Sequence, residues 1–432
     1  LYINKGNTLI LASMFREAVV AYDLALEVNP DSEPARINKE IALEEAGEYQ
    51  ELADYLRSEI DRLGRTPDLS LRLGQALESN GEVNNALVEY DEGIDLPEQS
   101  AELWEAKARL LQMRGDLQGA IEAYDRALSL NEGLVHALNN RGSALYMLGR
   151  YEEAANDITR ATQLDPGLAA AWQNLGPTLY HLERYEDALD SLERSLELDG
   201  DNSEAWNDRG NVMGKLKRYD EALRSYTKAL EIEPQGAMAW QNMANTQMDI
   251  KRYQDALSSY ERAITLDGNN PGAWVGKANA LSMLGRMDDS VAAYRRGLEL
   301  DPESDVTWNN LGFTLGQMGI FEEALECFEQ AIELDIGYIE AYKNRGNALL
   351  SLYRIQEAEA AYREALALDE EDAEVWDLLG ACLLQEGRVD EALESIEHAL
   401  SLNDEVPKYW NDLGKVKKEM GNKTGAHKAF DK

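Results

Sequence analysis

Histidine, cysteine and phenylalanine are scarce here, at four, two and five residues in 432, and Lys plus Arg number 42 against 81 Asp plus Glu. The resulting formal charge of −39 argues against sequence-independent binding to nucleic acid or anionic lipid, which need clustered Lys and Arg to displace counterions. The expected partner is protein or peptide, with no nucleic acid. The acidity reads first as a solvated outer face that keeps a long molecule soluble, and second as attraction for basic partners. With only Cys327 and Cys382 there is no disulfide framework, and a reduced, cytoplasmic compartment is compatible. No stretch approaches 18 apolar residues and no basic and apolar leader is present, so neither membrane insertion nor a signal peptide is expected, although the chain begins with Leu1 in mid-pattern.

The residues of catalysis are thin as well. His136, His181, His398 and His427 are scattered, with no His-x-x-x-His or Cys-x-x-Cys, so no metal and no cofactor is expected. Gly-rich phosphate loops and Gly-x-Ser-x-Gly elbows are missing. Among 81 acidic residues a pair of carboxylates carries no information. The chain does not read as an enzyme.

What is present is a period. Trp104, Trp172, Trp206, Trp240, Trp274, Trp308, Trp376 and Trp410 are separated by 34 residues or multiples of it, and Tyr2, Arg36, Ser70, Leu138 and Tyr342 hold the remaining rungs. Thirteen repeats therefore run without insertion or deletion, over 1–32, 33–66, 67–100, 101–134, 135–168, 169–202, 203–236, 237–270, 271–304, 305–338, 339–372, 373–406 and the incomplete 407–432. A fixed period overrides length as a guide to domain count, because each repeat packs only on its neighbours. One elongated array over residues 1–432 is expected.

With the Trp rung numbered position 4, position 8 is Gly or Ala everywhere except Glu40, and position 20 is Ala except at Leu52 and Ser290. Small residues at these places let two helices approach closely, while large residues at 4, 7, 11 and 24 fill the space around them. Position 15 is Gly at eight places, from Gly47 to Gly421, where a left-handed backbone ends the first helix. Pro30, Pro166, Pro234 and Pro302 at position 32 stop the second. Each unit is a helical hairpin. In the second repeat Leu52 replaces the small residue at 20 and Glu59 replaces Ala at 27, so a looser joint is expected over residues 33–66.

Trp at 4, Leu at 7, Gly at 8, Ala at 20, an aromatic at 24, Ala at 27 and Pro at 32 resemble the tetratricopeptide repeat, in a long array of prokaryotic type, and the resemblance covers the whole chain. It implies an all-α, right-handed superhelical solenoid of about 13 helix-turn-helix repeats, with first helices lining a concave groove. By the 3.6-residue period, positions 2, 5, 6, 9, 12 and 13 share the first-helix face opposite the packed core. Asparagine recurs there, at position 6 in Asn140, Asn174, Asn242, Asn310 and Asn344 and at position 9 in Asn211, Asn245, Asn279 and Asn347, with Gln173, Asn207 and Gln241 at position 5. Carboxamides offer the donors and acceptor needed to hold an extended peptide backbone, and a similar ladder lines the groove in O-linked N-acetylglucosamine transferases. Asparagine is also frequent at these positions in the family at large, so shared ancestry of the repeats accounts for it as well.

Pro177 at position 9 lies inside a first helix and is expected to kink it, placing Tyr146 and Tyr180, at position 12 of adjacent repeats, close together as a binding hot spot. Tolerated surface residues are the plainer reading. The family's carboxylate clamp for chaperone tails is broken: Lys343 and Asn347 supply one pair, but Leu378 stands where the next Asn belongs. The segment Pro407–Lys432 carries a net +4, and Lys415, Lys417 and Lys418 are candidates for end-to-end contact with an acidic segment. Three functions remain open: a non-enzymatic scaffold holding extended peptides in its groove, the targeting region of a larger enzyme such as a glycosyltransferase, and a structural element assembling head-to-tail.

Overall fold

In the computed structural model, which describes residues 1–432, the chain forms 26 α-helices and no strand. Each 34-residue period yields a pair, as in the fifth repeat (Val135–Met147 and Tyr151–Leu164) and the tenth (Asp305–Gln317 and Phe321–Leu334). The chain divides into two compact units, Leu1–Leu216 and Lys217–Lys432. Within each unit the second helix of one repeat packs on the first helix of the next, and first helices of neighbouring repeats touch. Each unit thus carries a face built from first helices.

The hairpins close as tightly as their small residues allow. A Cβ on Gly346 would lie 2.4 Å from Cε1 of Tyr362, at position 24 on the partner helix, and one on Gly142 would lie 2.4 Å from Cγ1 of Ile158. Ala154 and Ala358 at position 20 are completely buried opposite them. Position 15 takes a positive φ in all thirteen repeats: the eight glycines there lie between 71° and 82°, and Ser13, Glu183, Lys217, Lys251 and Tyr353 between 58° and 61°. The turn therefore demands the left-handed conformation even where the side chain makes it costly.

The Trp rung has a polar task beside packing. Its indole Nε1 donates to the loop that leads into its own repeat, as in Trp172 to Pro166 O (3.1 Å), Trp308 to Pro302 O (3.0 Å) and Trp410 to Asp404 O (2.7 Å). Each such bond ties a first helix to the end of the preceding hairpin.

The second repeat is the loosest, as its sequence suggests. Glu33–Glu45 and Tyr49–Leu63 pack less closely than any other hairpin within either unit. The buried Glu59 meets Arg36 at 3.3 Å and Arg62 at 2.8 Å, so an ion pair stands where five other repeats have Trp and Ala. A cavity of about 500 Å³ opens beside it, lined by Arg36, Glu40, Glu59, Asp68 and Arg72 among others. Cys327 and Cys382 are buried, free and on different helices, and burial pushes both thiols up, to about 12 and about 11.

Two stability predictions follow from these departures. Glu59→Ala alone leaves Arg36 sequestered without its carboxylate and should destabilise the repeat by about 1–3 kcal/mol, whereas Arg36→Trp with Glu59→Ala should recover that loss; hydrogen exchange over residues 33–66 reads both. Tyr353→Gly relieves a left-handed non-glycine and should stabilise its hairpin by about 1 kcal/mol, seen as slower exchange in the helices it joins.

Candidate functional site

The position 9 asparagines are not free ligands. Tyr22 Oη donates to Asn7 Oδ1 (2.8 Å), Tyr260 to Asn245 (2.6 Å) and Tyr362 to Asn347 (2.9 Å), and Tyr294 makes the same bond to Asn279. Each tyrosine ring crosses the hairpin beside the small residue at position 8, and its hydroxyl emerges at the first-helix face. There the carboxamide oxygen of the same repeat receives it. Asn at 9 occurs only in the five repeats with Tyr at 24, Asn211 with Tyr226 included. In the other two tyrosine repeats the hydroxyls of Tyr90 and Tyr124 turn to Glu78 (3.0 Å) and Gln112 (3.1 Å) at position 12. Sequence reasoning took these asparagines for a peptide ladder and missed the tyrosine that explains them.

Three of the position 6 asparagines tie one repeat to the last. Asn174 Nδ2 donates to Asn139 Oδ1 and Asn344 Nδ2 to Asn309 Oδ1, each at 3.0 Å, and Asn38 Nδ2 donates to Asn7 Oδ1 at 2.9 Å. Asn140 accepts from Asn139 at 3.1 Å. At position 5, Gln173 and Gln241 accept from Asn202 (2.7 Å) and Asn270 (2.6 Å), which cap the next first helix, and Asn207 donates to Asp208 (3.3 Å). Asn242 and Asn310 accept through their backbone carbonyls from Thr246 and Thr314.

What remains available is the other end of the carboxamides. Because the phenols hold Oδ1, the amino groups of Asn245 and Asn347, both exposed, and of half-buried Asn279 are turned outward as donors. Between Asn279 and Asn347, in the repeat with Phe328 at 24, position 9 is Phe313, 49% exposed. One face of the second unit thus presents Asn245, Asn279, Phe313 and Asn347 in register.

In the first unit the same face is aromatic and acidic. Tyr146 and Tyr180 do not meet as expected; the His181 ring stands between them, 5.5 Å from Tyr146 and 5.7 Å from Tyr180, both edge-on. Tyr151 stacks on His181 at 4.6 Å, and Tyr185 meets Tyr180 edge-on at 5.6 Å. The helix Ala169–His181 continues through Pro177 as one α-helix without a break. Asp208, at position 6 of the next first helix, accepts from Asn207 and forms no ion pair. Burial, reinforced by Glu204, pushes its carboxyl up to about 7. Both carboxylates act on Tyr146, whose hydroxyl burial raises and Asp208 raises further. Glu204 itself accepts from Gln173 Nε2 at 2.6 Å.

The lysines singled out in the sequence are mostly paired within the chain. Lys343 is buried against Glu374 and Glu340, consistent with a broken clamp. Lys415 pairs with Asp412 at 2.5 Å and Lys417 with Glu397 at 3.6 Å, so two of the three candidate end-contact lysines are engaged within the chain and Lys418 is exposed. No three His, Cys, Asp or Glu side chains gather as a metal site, and no helix is long and apolar enough to cross a membrane.

Stacked hairpins that present donors, rings and carboxylates on an open helical face define a repeat scaffold, whose binding surface is a row of side chains. Family models of the tetratricopeptide repeat match residues 71–135, 105–169, 167–235, 242–305, 306–337 and 349–415. The chain belongs to the tetratricopeptide repeat family, and it is a protein interaction scaffold of that class. No curated protein sequence matches it. Among solved structures, that of the APC/C hetero-tetramer Cut9-Hcn1 is similar with a TM-score of 0.44 at 15% identity, covering 98% of this chain and 90% of that one. MamA is similar with a TM-score of 0.38 at 26% identity over 40% of this chain and 96% of its own. YrrB, described as a TPR protein with an unusual peptide-binding site, gives a TM-score of 0.37 at 24% identity over 43% of this chain and 96% of its own.

The raised Asp208 carboxyl makes a testable demand. A carboxyl whose folded pKa lies above its ordinary value costs stability that is absent at about pH 3, grows through the interval up to about 7, and is full above it. Asp208→Asn should therefore raise the thermal midpoint at pH 8, by the equivalent of up to about 4 kcal/mol, and leave it nearly unchanged at pH 4.

Proposed function

We propose that the chain acts as a non-enzymatic scaffold whose first-helix groove holds extended, mostly neutral peptide segments of partner proteins. The observation that carries this is the row Asn245, Asn279, Phe313 and Asn347, in which phenol-locked carboxamides turn their amino groups outward on either side of an exposed ring. Peptide carbonyls are the natural acceptors for such donors. Packed helices lie roughly 10 Å apart, about three residues of extended chain at ~3.3 Å each. One carbonyl in three would then meet a carboxamide, and an apolar side chain between them would cover Phe313.

The locking matters energetically. A carboxamide already fixed by its tyrosine loses little side-chain freedom on binding, which lowers the ordering cost that weakens flexible polar surfaces. Neutral contacts also imply weak dependence on salt.

A random dodecapeptide library selected on the whole chain, followed by calorimetry, tests the reading. Asn245→Ala with Asn279→Ala should weaken a selected neutral peptide by roughly 1–3 kcal/mol in total, and Phe313→Ala by a similar amount, with the circular-dichroism spectrum intact. Selected peptides indifferent to all three substitutions would refute it.

A further inference from the structure

The aromatic and acidic face of the first unit has a different chemistry from the asparagine row of the second, and we propose that it is a binding site for an arginine side chain of a peptide segment held on the first unit. The inference rests on the peptide-scaffold reading and adds the identity of one required side chain. Tyr151, Tyr146, His181 and Tyr180 form a continuous run of rings, with centroid separations of 4.6 to 5.7 Å along it. Asp208 and Glu204 stand on the next first helix, Ser203–Lys215, which is tied to the helix bearing Tyr180 by Gln173 Nε2 donating to Glu204 at 2.6 Å, and both carboxylates act on the Tyr146 hydroxyl. Neither carboxylate has a Lys or Arg partner, although carboxylates elsewhere on this unit do: Asp125 and Asp157 share Arg141.

Rings beside a carboxylate select a guanidinium. A planar cation stacks on an aromatic surface and presents N–H donors in a fork to a carboxylate, which an ammonium does only as a point charge. A cation already lies over one ring of the face, Lys215 Nζ at 6.0 Å from the Tyr180 centroid. Pro177, at position 9 on the first helix between those of Tyr146 and Asp208, is short and carries no hydrogen-bonding side chain to compete for the carboxylate. An uncompensated half-buried carboxylate is costly to the fold, and an incoming guanidinium removes that cost on binding.

Two randomised dodecapeptide pools, one allowing Arg and Lys and one excluding both, are selected on the whole chain and the winners measured by calorimetry. We expect the first pool to give Arg-containing peptides that bind at least tenfold tighter than the second, whose affinity falls at least tenfold with Asp208→Asn and with Tyr146→Leu, and which weaken as salt rises. Replacing their Arg by Lys should cost several-fold. Asp208→Asn places at position 6 the residue found there in neighbouring repeats, and thermal melting confirms that it folds. If the two pools give equal affinities, or if Asp208→Asn and Tyr146→Leu leave Arg peptides unaffected, the arginine subsite is wrong and the peptide scaffold stands. If neither pool yields a binder, both fail together. Enrichment of Lys over Arg would overturn the choice of a guanidinium.

Discussion

The close approach of two helices at positions 8 and 20 governs more of this molecule than its core. Gly346 and Ala358 bring their helices so near that the Tyr362 ring has to pass beside a residue with no side chain. A ring packed that way spans the hairpin, and its hydroxyl comes out on the far side. A hydroxyl delivered to a half-buried surface needs a partner, since leaving it unpaired costs about 1–3 kcal/mol. Asn347 supplies one at 2.9 Å. The polar pattern on the first-helix face is thus a consequence of packing on the other side of the same helix.

The thirteen hairpins, the left-handed turns and the weak second repeat were legible because each depends on one or two positions read against a 34-residue period. The meaning of the asparagines depends on a pair of positions fifteen residues apart, and a residue-by-residue count along one helix face does not reveal it. The signal was there: Ile41, Ser143, Pro177, Phe313, Ala381 and Lys415 stand at position 9 where Leu56, Ile158, Leu192, Phe328, Ile396 and Phe430 replace the tyrosine. Tyr146 and Tyr180 failed for another reason. Register along two helices placed them as neighbours, but His181, one residue beyond Tyr180, took the space between them.

Charge follows the same logic of local pairing. Most arginines on this acidic chain are spent nearby, for instance at position 16, where Arg150, Arg184, Arg286 and Arg354 each bind the carboxylate three residues on. These exposed pairs contribute little individually, and they leave the net charge of the surface unchanged. A carboxylate such as Asp208, half-buried and without a cation, is therefore set apart from 81 acidic residues by its surroundings. Composition alone could not single it out.

Losing the tyrosine is what releases a repeat to specialise. Where Tyr at 24 needs its acceptor, position 9 is held to Asn or the hydroxyl is passed to position 12, and the face stays polar. Where Ile158, Leu192 or Phe328 fills the hairpin instead, no hydroxyl reaches the face and position 9 is unconstrained, so Ser143, Pro177 and Phe313 can stand there. Both candidate binding features lie at such places: the ring cluster flanks Pro177, and Phe313 is itself the exposed anchor. A substitution in the core thus sets which repeats keep a uniform polar face and which are open to acquire a distinct one.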